Sequence, residues 1–358
     1  MTQFVIRRLL ASIPALFGVI FVVFAVARLL PGDPCIAALG ERATGPICDD
    51  FNQRYGLNEP IPVQFVLYLG QLARFDLGDS IAQGRPVSEI LIERLPTTIE
   101  LAVYALLFAS IVGILLGLAA ALRRNSKVDV GTMVGASLGV SIPIFVLALL
   151  LQFVFAILLR GTIFQLPPSG RLSPGRQFDT IPEAWGLTDL DGVPRAILDF
   201  FSNMYTVNFA VTLQVDNFVD AAQHLILPVI ALGTISLAII ARITRSSLLE
   251  VLGLDYIRTA RAKGVSERVV IRRHAFRNAI IPVVTIIGLQ LGLLLAGAVL
   301  TETIFNLTGV GKTMFEAIQG RDFIVVQAFT IIIAIIYLVV NLVVDISYAF
   351  LDPRIRLE

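Results

Sequence analysis

Long apolar runs free of any charge alternate along this chain with polar and charged stretches. Six windows, residues 9–27, 101–122, 130–159, 225–241, 279–301 and 323–344, contain no Asp, Glu, Lys or Arg. A helix needs about 20 apolar residues to cross roughly 30 Å of hydrocarbon. Five windows meet that length, and 225–241, at 17 residues, is marginal. Backbone groups in lipid must be paired within the segment, so these runs are read as helices. The pattern predicts an all-α membrane protein with six transmembrane helices.

The intervening stretches divide the chain into an N-terminus with a first span (1–30), a cap loop (31–98) and a core (99–358). Within the cap, 49–55 and 63–74 are expected to be short helices, the second started by Pro62. Residues 160–223 are polar, open with PPSGRLSPG, and hold the only tryptophan, Trp185. They read as an insertion folded on the surface, with no role that sequence assigns. Residues 302–322 contain LTGVGKTM, but Asn306 stands where a phosphate loop needs glycine. A loop dipping back toward the pore, with tight turns at Gly309 and Gly311, is expected instead. Pro14, Pro143, Pro228 and Pro282 interrupt or begin apolar windows, as kinks or hinges. The N-terminus, Arg7-Arg8 and an apolar run, imitates a signal peptide; its length and the lack of a small-x-small site make it a retained span.

Composition agrees: 56% of the 358 residues are hydrophobic, 15% are charged, and mean hydropathy is +0.82. A net charge of +1 says nothing of partners, but its distribution does. With both termini inside, the inner segments carry 16 Lys/Arg in a short length and the longer outer loops 11. That asymmetry is the positive-inside pattern. It predicts a multi-pass protein of the plasma (inner) membrane, in contact with lipid, with cytoplasmic termini and no nucleic-acid partner. Cys35 and Cys48, the only cysteines, then fall outside, 13 positions apart. In an oxidising compartment they are expected to close a disulfide ring worth about 3 kcal/mol; two unpaired thiols are the other reading.

Catalytic and metal-binding chemistry is missing. His224 and His274 are the only histidines, and no GxSxG, HExxH or paired intramembrane carboxylate occurs. Asp345, Glu100, Glu302 and Arg28 all sit near span ends, where Arg28 can snorkel. Mid-membrane charges cost about 3 kcal/mol, and ion-coupled carriers accept that cost. This chain avoids it, so a secondary carrier acting alone is disfavoured, as is an intramembrane enzyme. Energy is expected from a partner.

The candidate contact for that partner is residues 242–278, which hold nine Lys/Arg between two spans. Residues 255–263 are expected to form one helix, Gly264 to break it, and Ser266 to cap a second over 267–278. A compact helix–turn–helix can transmit a rigid-body push into the next span at Pro282. An ordinary basic loop facing lipid headgroups is the alternative.

Seven segments carry a resemblance that runs over nearly the whole chain. They are IRRLLASIPALFGVIFVVFAVARLLPGDP (6–34), RYGLNEPIPVQFVLYLGQLARFDLGDSI (54–81), RPVSEILIERLPTTIELA (85–102), SIPIF (141–145), DYIRTARAKGVSERVVIRRHAFRNAIIPVVT (255–285), ETIFNLTGVGKTMFEAI (302–318) and DPRIR (352–356). In this order they resemble the first permease type of dipeptide/oligopeptide ABC importers. The resemblance implies a type I ABC importer permease fold with extracytoplasmic loop subdomains. It implies a second, usually different, permease chain, two cytoplasmic ATPase subunits and an extracytoplasmic solute-binding protein. No cofactor is expected in this chain; ATP and Mg would be bound by the ATPases, so the chain is not itself an enzyme. Ala260 to Gly264 would be the Ala–x–x–x–Gly core of the family's EAA loop. The ATPase-coupling candidates are Thr259, Ala260, Lys263, Gly264, Arg268 and Arg272. Ser141, Pro143 and Gln290 are pathway candidates, as polar or kinking positions within spans. Glu302 and Arg321 are candidates for an outer gate or binding-protein contact. Peptides are the default cargo; nickel, glutathione or oligosaccharides are the alternatives within the same machinery. The length of 160–223 and the cysteine pair depart from the family pattern.

Overall fold

A computed structural model of the chain describes residues 2–29, 35, 43–54 and 56–351. Among them the structure is helical, apart from one isolated β-bridge between Asp79 and Pro86. The terminal Arg354 and Arg356 lie outside the described residues. Helix α1 is Thr2–Leu29, followed in the cap by α2 (Gly45–Arg54) and α3 (Ile61–Ala73). Next come α4 (Val87–Leu122), α5 (Lys127–Ser141) and α6 (Ile144–Gln152), the last prolonged by a π-helical stretch, Phe153–Leu158. The insertion forms α7 (Ile181–Ala184), α8 (Val193–Ser202) and α9 (Tyr205–Val211). The remainder is α10 (Val215–Leu252), α11 (Asp255–Ala262), α12 (Glu267–Val269), α13 (Phe276–Ile304), α14 (Val310–Gln319) and α15 (Phe323–Leu351). Five helical segments are long and apolar enough to cross a membrane, and six if the bent pair α5–α6 counts as one.

Three expectations are corrected. Helices α4 and α10 begin at Val87 and Val215, inside the stretches the charge-free windows leave to loops. At about 1.5 Å per residue, the 36 residues of α4 extend roughly 54 Å, well beyond the hydrocarbon. Charges such as Glu89, Glu93 and Arg94 ride on the protruding end, where Glu89 is exposed and Glu93 pairs with Arg85. The third span is not straight: α5 and α6 meet at 103°. Pro143 disfavours helix at Ile142, whose ψ is 121°, and starts α6 afresh.

Helices α4 and α10 form the centre and run in the same direction. A Cβ added at Gly233 would lie 2.9 Å from Ala105 O, one at Gly113 2.9 Å from Leu237 O, and one at Gly117 2.5 Å from Ala241 O. These glycines let two backbones touch, which is how helices associate where lipid removes any hydrophobic drive. Around them, α6 and α13 complete a core of Leu101, Ala105, Ala148, Leu227, Leu294 and Ala298. Helices α14 and α15 pack on the outer end of α4 through Val87, Ile90, Val310 and Phe329. Val344 of α15 fills the space beside Gly288 of α13. Helix α1 crosses α15 and holds the cap by setting Phe17, Phe21 and Phe24 around Phe65 of α3. Arg28 sits over Phe24 and donates from Nε to Gln64 Oε1 at 3.0 Å. Within the cap, Cys35 and Cys48 are joined, with Cα atoms 5.4 Å apart.

Gly117→Ala is expected to cost about 1–3 kcal/mol by pushing α4 off α10. Thermal unfolding in detergent reads this as a lowered Tm. Gly70→Ala, where a Cβ meets nothing within 4 Å, leaves the Tm unchanged or slightly raised.

Candidate functional site

The basic face of the bundle is built where α10 ends. Gly253 follows Leu252, and α11 lies across the bundle end. Its apolar side is set by Ile257, fully buried with Ala121, Leu248, Val270, Ala275 and Ala279. Ala260 packs partly against the same cluster. Thr259 and Lys263 face outward, exposed, with the Thr259 hydroxyl donating to Asp255 O. Gly264 has φ +74°, the left-handed region that favours glycine, and a Cβ there would meet nothing within 4 Å. The turn is closed by Gly264 N to Arg261 O at 3.0 Å and Val265 N to Ala260 O at 3.3 Å. Arg261 spans it, donating to Glu267 at 2.6 and 3.0 Å. That hydrogen bonding holds the Arg261 guanidinium above its ordinary pKa. Both side chains are about half exposed, so the pair orders the turn more than it stabilises the fold.

The second helix differs from expectation. Ser266 makes no side-chain cap, and no separate helix ends at Asn278. Instead α12 passes through a π-helical stretch, Val270–Ala275, directly into α13. The span beyond Pro282 is therefore the same rod as the segment beside Gly264. Two hydrogen bonds tie α11 to this rod: Tyr256 donates to His274 O at 3.3 Å, and Asn278 Nδ2 donates to Tyr256 Oη at 2.8 Å. Arg268 and Arg272 are exposed and, with Val269, Phe276 and Arg277, line an open groove of about 640 Å³. Behind them, Asp129 at the start of α5 accepts from Arg245 of α10 at 2.5 and 2.8 Å. Sequence reasoning missed this bidentate pair, because its partners are 116 positions apart.

Of the pathway candidates, Ser141 is exposed and donates to Ser137 O one turn back. Pro143 forms the elbow between α5 and α6. Gln290 is buried, 5% exposed, and donates to Ser236 Oγ at 2.8 Å, so in this chain it joins α13 to α10.

Glu302 does not present a surface; it is fully buried. Thr98 donates to its Oε1 at 2.6 Å and the Lys312 amide to its Oε2 at 3.0 Å. The Val310 amide donates in turn to Thr98 Oγ1 at 2.8 Å. The carboxylate thus caps the N-terminus of α14, which favours an anion. Gly309 and Gly311 do not make left-handed turns. A Cβ at Gly309 would lie 2.5 Å from the Glu302 carboxylate, and one at Gly311 2.6 Å from Val299 Cα. Close approach, not turning, requires glycine here. Arg321, with φ 54°, remains exposed after α14.

A second buried carboxylate, Glu100 of α4, holds the insertion. Its Oε1 accepts from Thr206 N at 2.8 Å and Thr206 Oγ1 at 2.6 Å, and Oε2 from Arg171 at 3.0 Å. Arg171 also stacks on Tyr205, 3.6 Å from the ring centroid. Asp220 of α10 accepts from Ser173 N and Oγ at 2.8 and 2.7 Å. The insertion is therefore stapled to the bundle. In α7, Thr180 donates from N and Oγ1 to Glu183, which holds that carboxyl below its usual pKa.

Glu302→Ala is expected to lower stability by about 3 kcal/mol, since it orphans a buried hydroxyl and buried amides. Glu302→Gln, which keeps volume and one acceptor, costs less. The ranking of the two unfolding temperatures in detergent checks this.

Residues 113–357 match the family described as binding-protein-dependent transport system inner membrane component, and residues 1–102 match its N-terminal domain. The chain is 44% identical to the dipeptide transport system permease protein DppB of Alkalihalophilus pseudofirmus, over 99% of this chain and 100% of that protein. It is 43% identical to the di/tripeptide transport system permease protein DppB of Pseudomonas aeruginosa, over 99% of each. It is 40% identical to the probable D,D-dipeptide transport system permease protein DdpB of Escherichia coli, over 94% of this chain and 93% of that one. The chain is a multi-pass membrane protein that belongs to the family of inner-membrane components of binding-protein-dependent transport systems.

Proposed function

We propose that this chain is one pore-forming permease subunit of an ATP-driven importer of di- or oligopeptides. The observation that carries the reading is the end-to-end match, at 43–44% identity, to permease subunits named for dipeptide and di/tripeptide transport. The coarser assignment, to binding-protein-dependent transport, rests on the family. Under the positive-inside pattern the basic face and both termini are cytoplasmic, and the cap and insertion lie outside.

The chain supplies no ATP chemistry in this reading. Among the described residues no group of His, Cys, Asp and Glu is placed to hold a metal ion. The LTGVGKTM segment meets its own Glu302. ATP and Mg belong to two partner ATPases, which dock on the exposed side of α11 around Thr259, Lys263 and Gly264, with Arg268 and Arg272 beside them. Ala260 then acts from the inner side, seating α11 on the bundle. A second permease chain covers the apolar faces left open by α5 and α6, where Val130, Val134, Leu138, Leu149 and Phe153 are exposed. A solute-binding protein delivers peptide to the outer face, with Arg321 a candidate contact.

Purification of the chain from native membranes in mild detergent, with mass spectrometry, is expected to recover a second permease, ATPase subunits and a binding protein. Recovery of a chain alone that transports without ATP would sink the reading. Gly264→Val combines left-handed strain with bulk on the open side of the turn. It is expected to cut ATP-driven dipeptide uptake in proteoliposomes at least about tenfold while membrane insertion persists. Full uptake by this variant removes the coupling role.

A further inference from the structure

On the face opposite α11, a cleft of about 760 Å³ opens between the protruding end of α4, the insertion and Thr308. Its volume suits a small organic ligand. Three of its charged pairs are already closed. Glu93 accepts both Arg85 Nη atoms, at 2.6 and 2.7 Å. Arg195 is bonded to Asp199 at 3.1 Å, and Arg171 to Glu100. Two charged residues of α4 are in none of these pairs, although Arg94 also acts on Glu93 through its charge. Arg94 has a buried Nε with no hydrogen-bond partner. Glu89 is exposed and interacts with Arg85 only at longer range.

A buried guanidinium nitrogen without an acceptor is costly, and its natural complement is a carboxylate. Five residues of helix separate Glu89 from Arg94, an axial rise of about 7.5 Å with about 140° of rotation, and both side chains line the one cleft. The termini of an extended dipeptide are separated by about 7 Å. Ile92, Phe178 and Ala196 add apolar lining to the cleft.

We infer that this outer cleft is a binding site for short zwitterionic peptides, with Arg94 taking the C-terminal carboxylate and Glu89 the N-terminal ammonium. The inference rests on the peptide-importer reading for its ligand class, but the site itself belongs to this chain. It would receive peptide at the outer face before the membrane is crossed.

The test uses the assembled transporter in nanodiscs without binding protein, with L-alanyl-L-alanine as probe in equilibrium dialysis. Wild type is expected to bind it, and Arg94→Ala to weaken binding roughly 10- to 100-fold, the scale of one charge-assisted hydrogen-bonded contact. The C-terminal amide of the same dipeptide weakens wild type to the same degree and loses nothing further in Arg94→Ala. Glu89→Gln behaves likewise toward the N-acetylated dipeptide. Arg94→Gln, with its melting curve, replaces Arg94→Ala should that variant fold poorly. No binding by wild type, equal binding by the Arg94 variants, or an amide penalty that persists without Arg94 overturns the site. ATP-driven uptake of the same dipeptide in proteoliposomes is measured separately. Uptake with no Arg94-dependent binding overturns the cleft and leaves the importer; no uptake of any dipeptide overturns the importer itself.

Discussion

Backbone contact between α4 and α10 is the constraint on which the rest depends. In lipid, apolar side chains gain nothing by leaving the solvent, so packing must come from close approach. Gly113, Gly117 and Gly233 provide it, and the thread of contacts from Ala105–Gly233 to Gly117–Ala241 keeps the helices in one register. At 36 and 38 residues both outrun the bilayer, and the excess is put to use. At one end, α4 carries Glu100 and the cleft, and α10 carries Asp220. On the basic face, Leu248 and Ala121 make the floor on which α11 rests. Outer and basic faces are thus two ends of a single rigid unit.

Buried carboxylates fasten the peripheral elements to that unit, each joining segments distant in sequence. Glu100 secures the insertion, Glu302 the start of α14, Asp220 the loop at Ser173, and Asp129 fixes α5 to Arg245. All four accept hydrogen bonds from other segments and sit toward span ends. The glycine-rich LTGVGKTM segment fits the same scheme. Its amides do make a cradle, but what fills it is the chain's own Glu302 carboxyl, not a phosphate.

Much of this was legible in the sequence. Charge-free windows locate the spans because desolvating charge is expensive, and the cap helices and the turn at Gly264 follow from proline and glycine. The same windows place the starts of α4 and α10 too late. A helix that leaves the bilayer regains its charges without losing its hydrogen bonds, so Glu89, Glu93 and Arg94 mimic a loop. Pro143 signals a break, but the 103° angle is set by what α5 and α6 pack against. Glu302 looks like an exposed residue at a span end because Thr98, 204 positions away, is invisible to any local pattern. Gly309 and Gly311 are explained by that same distant contact rather than by their own backbone.

Stiffness is distributed unevenly between the two faces of α11. Toward the bundle, Ile257 is fully buried, and Tyr256 is bonded to both His274 and Asn278, so α11 and the start of α13 move together. Toward α10, the connection is the short turn at Gly253 and Leu254, with Ile257 packed on Leu248. The buried face of α11 therefore bears on the start of α13 and, through Leu248, on α10. Between α11 and the straight part of α13 lies the π-helical stretch Val270–Ala275, a form that is rare within helices and frequent at functional sites. Farther along, Gln290 of α13 donates to Ser236 of α10, and the α13 glycines meet side chains such as Leu232, Val344 and Tyr337. Helix α13 packs on both α10 and α4 and ends at Glu302, whose carboxyl accepts from the Lys312 amide of α14. One continuous helical segment therefore joins the residues beside Gly264 to the N-terminus of α14.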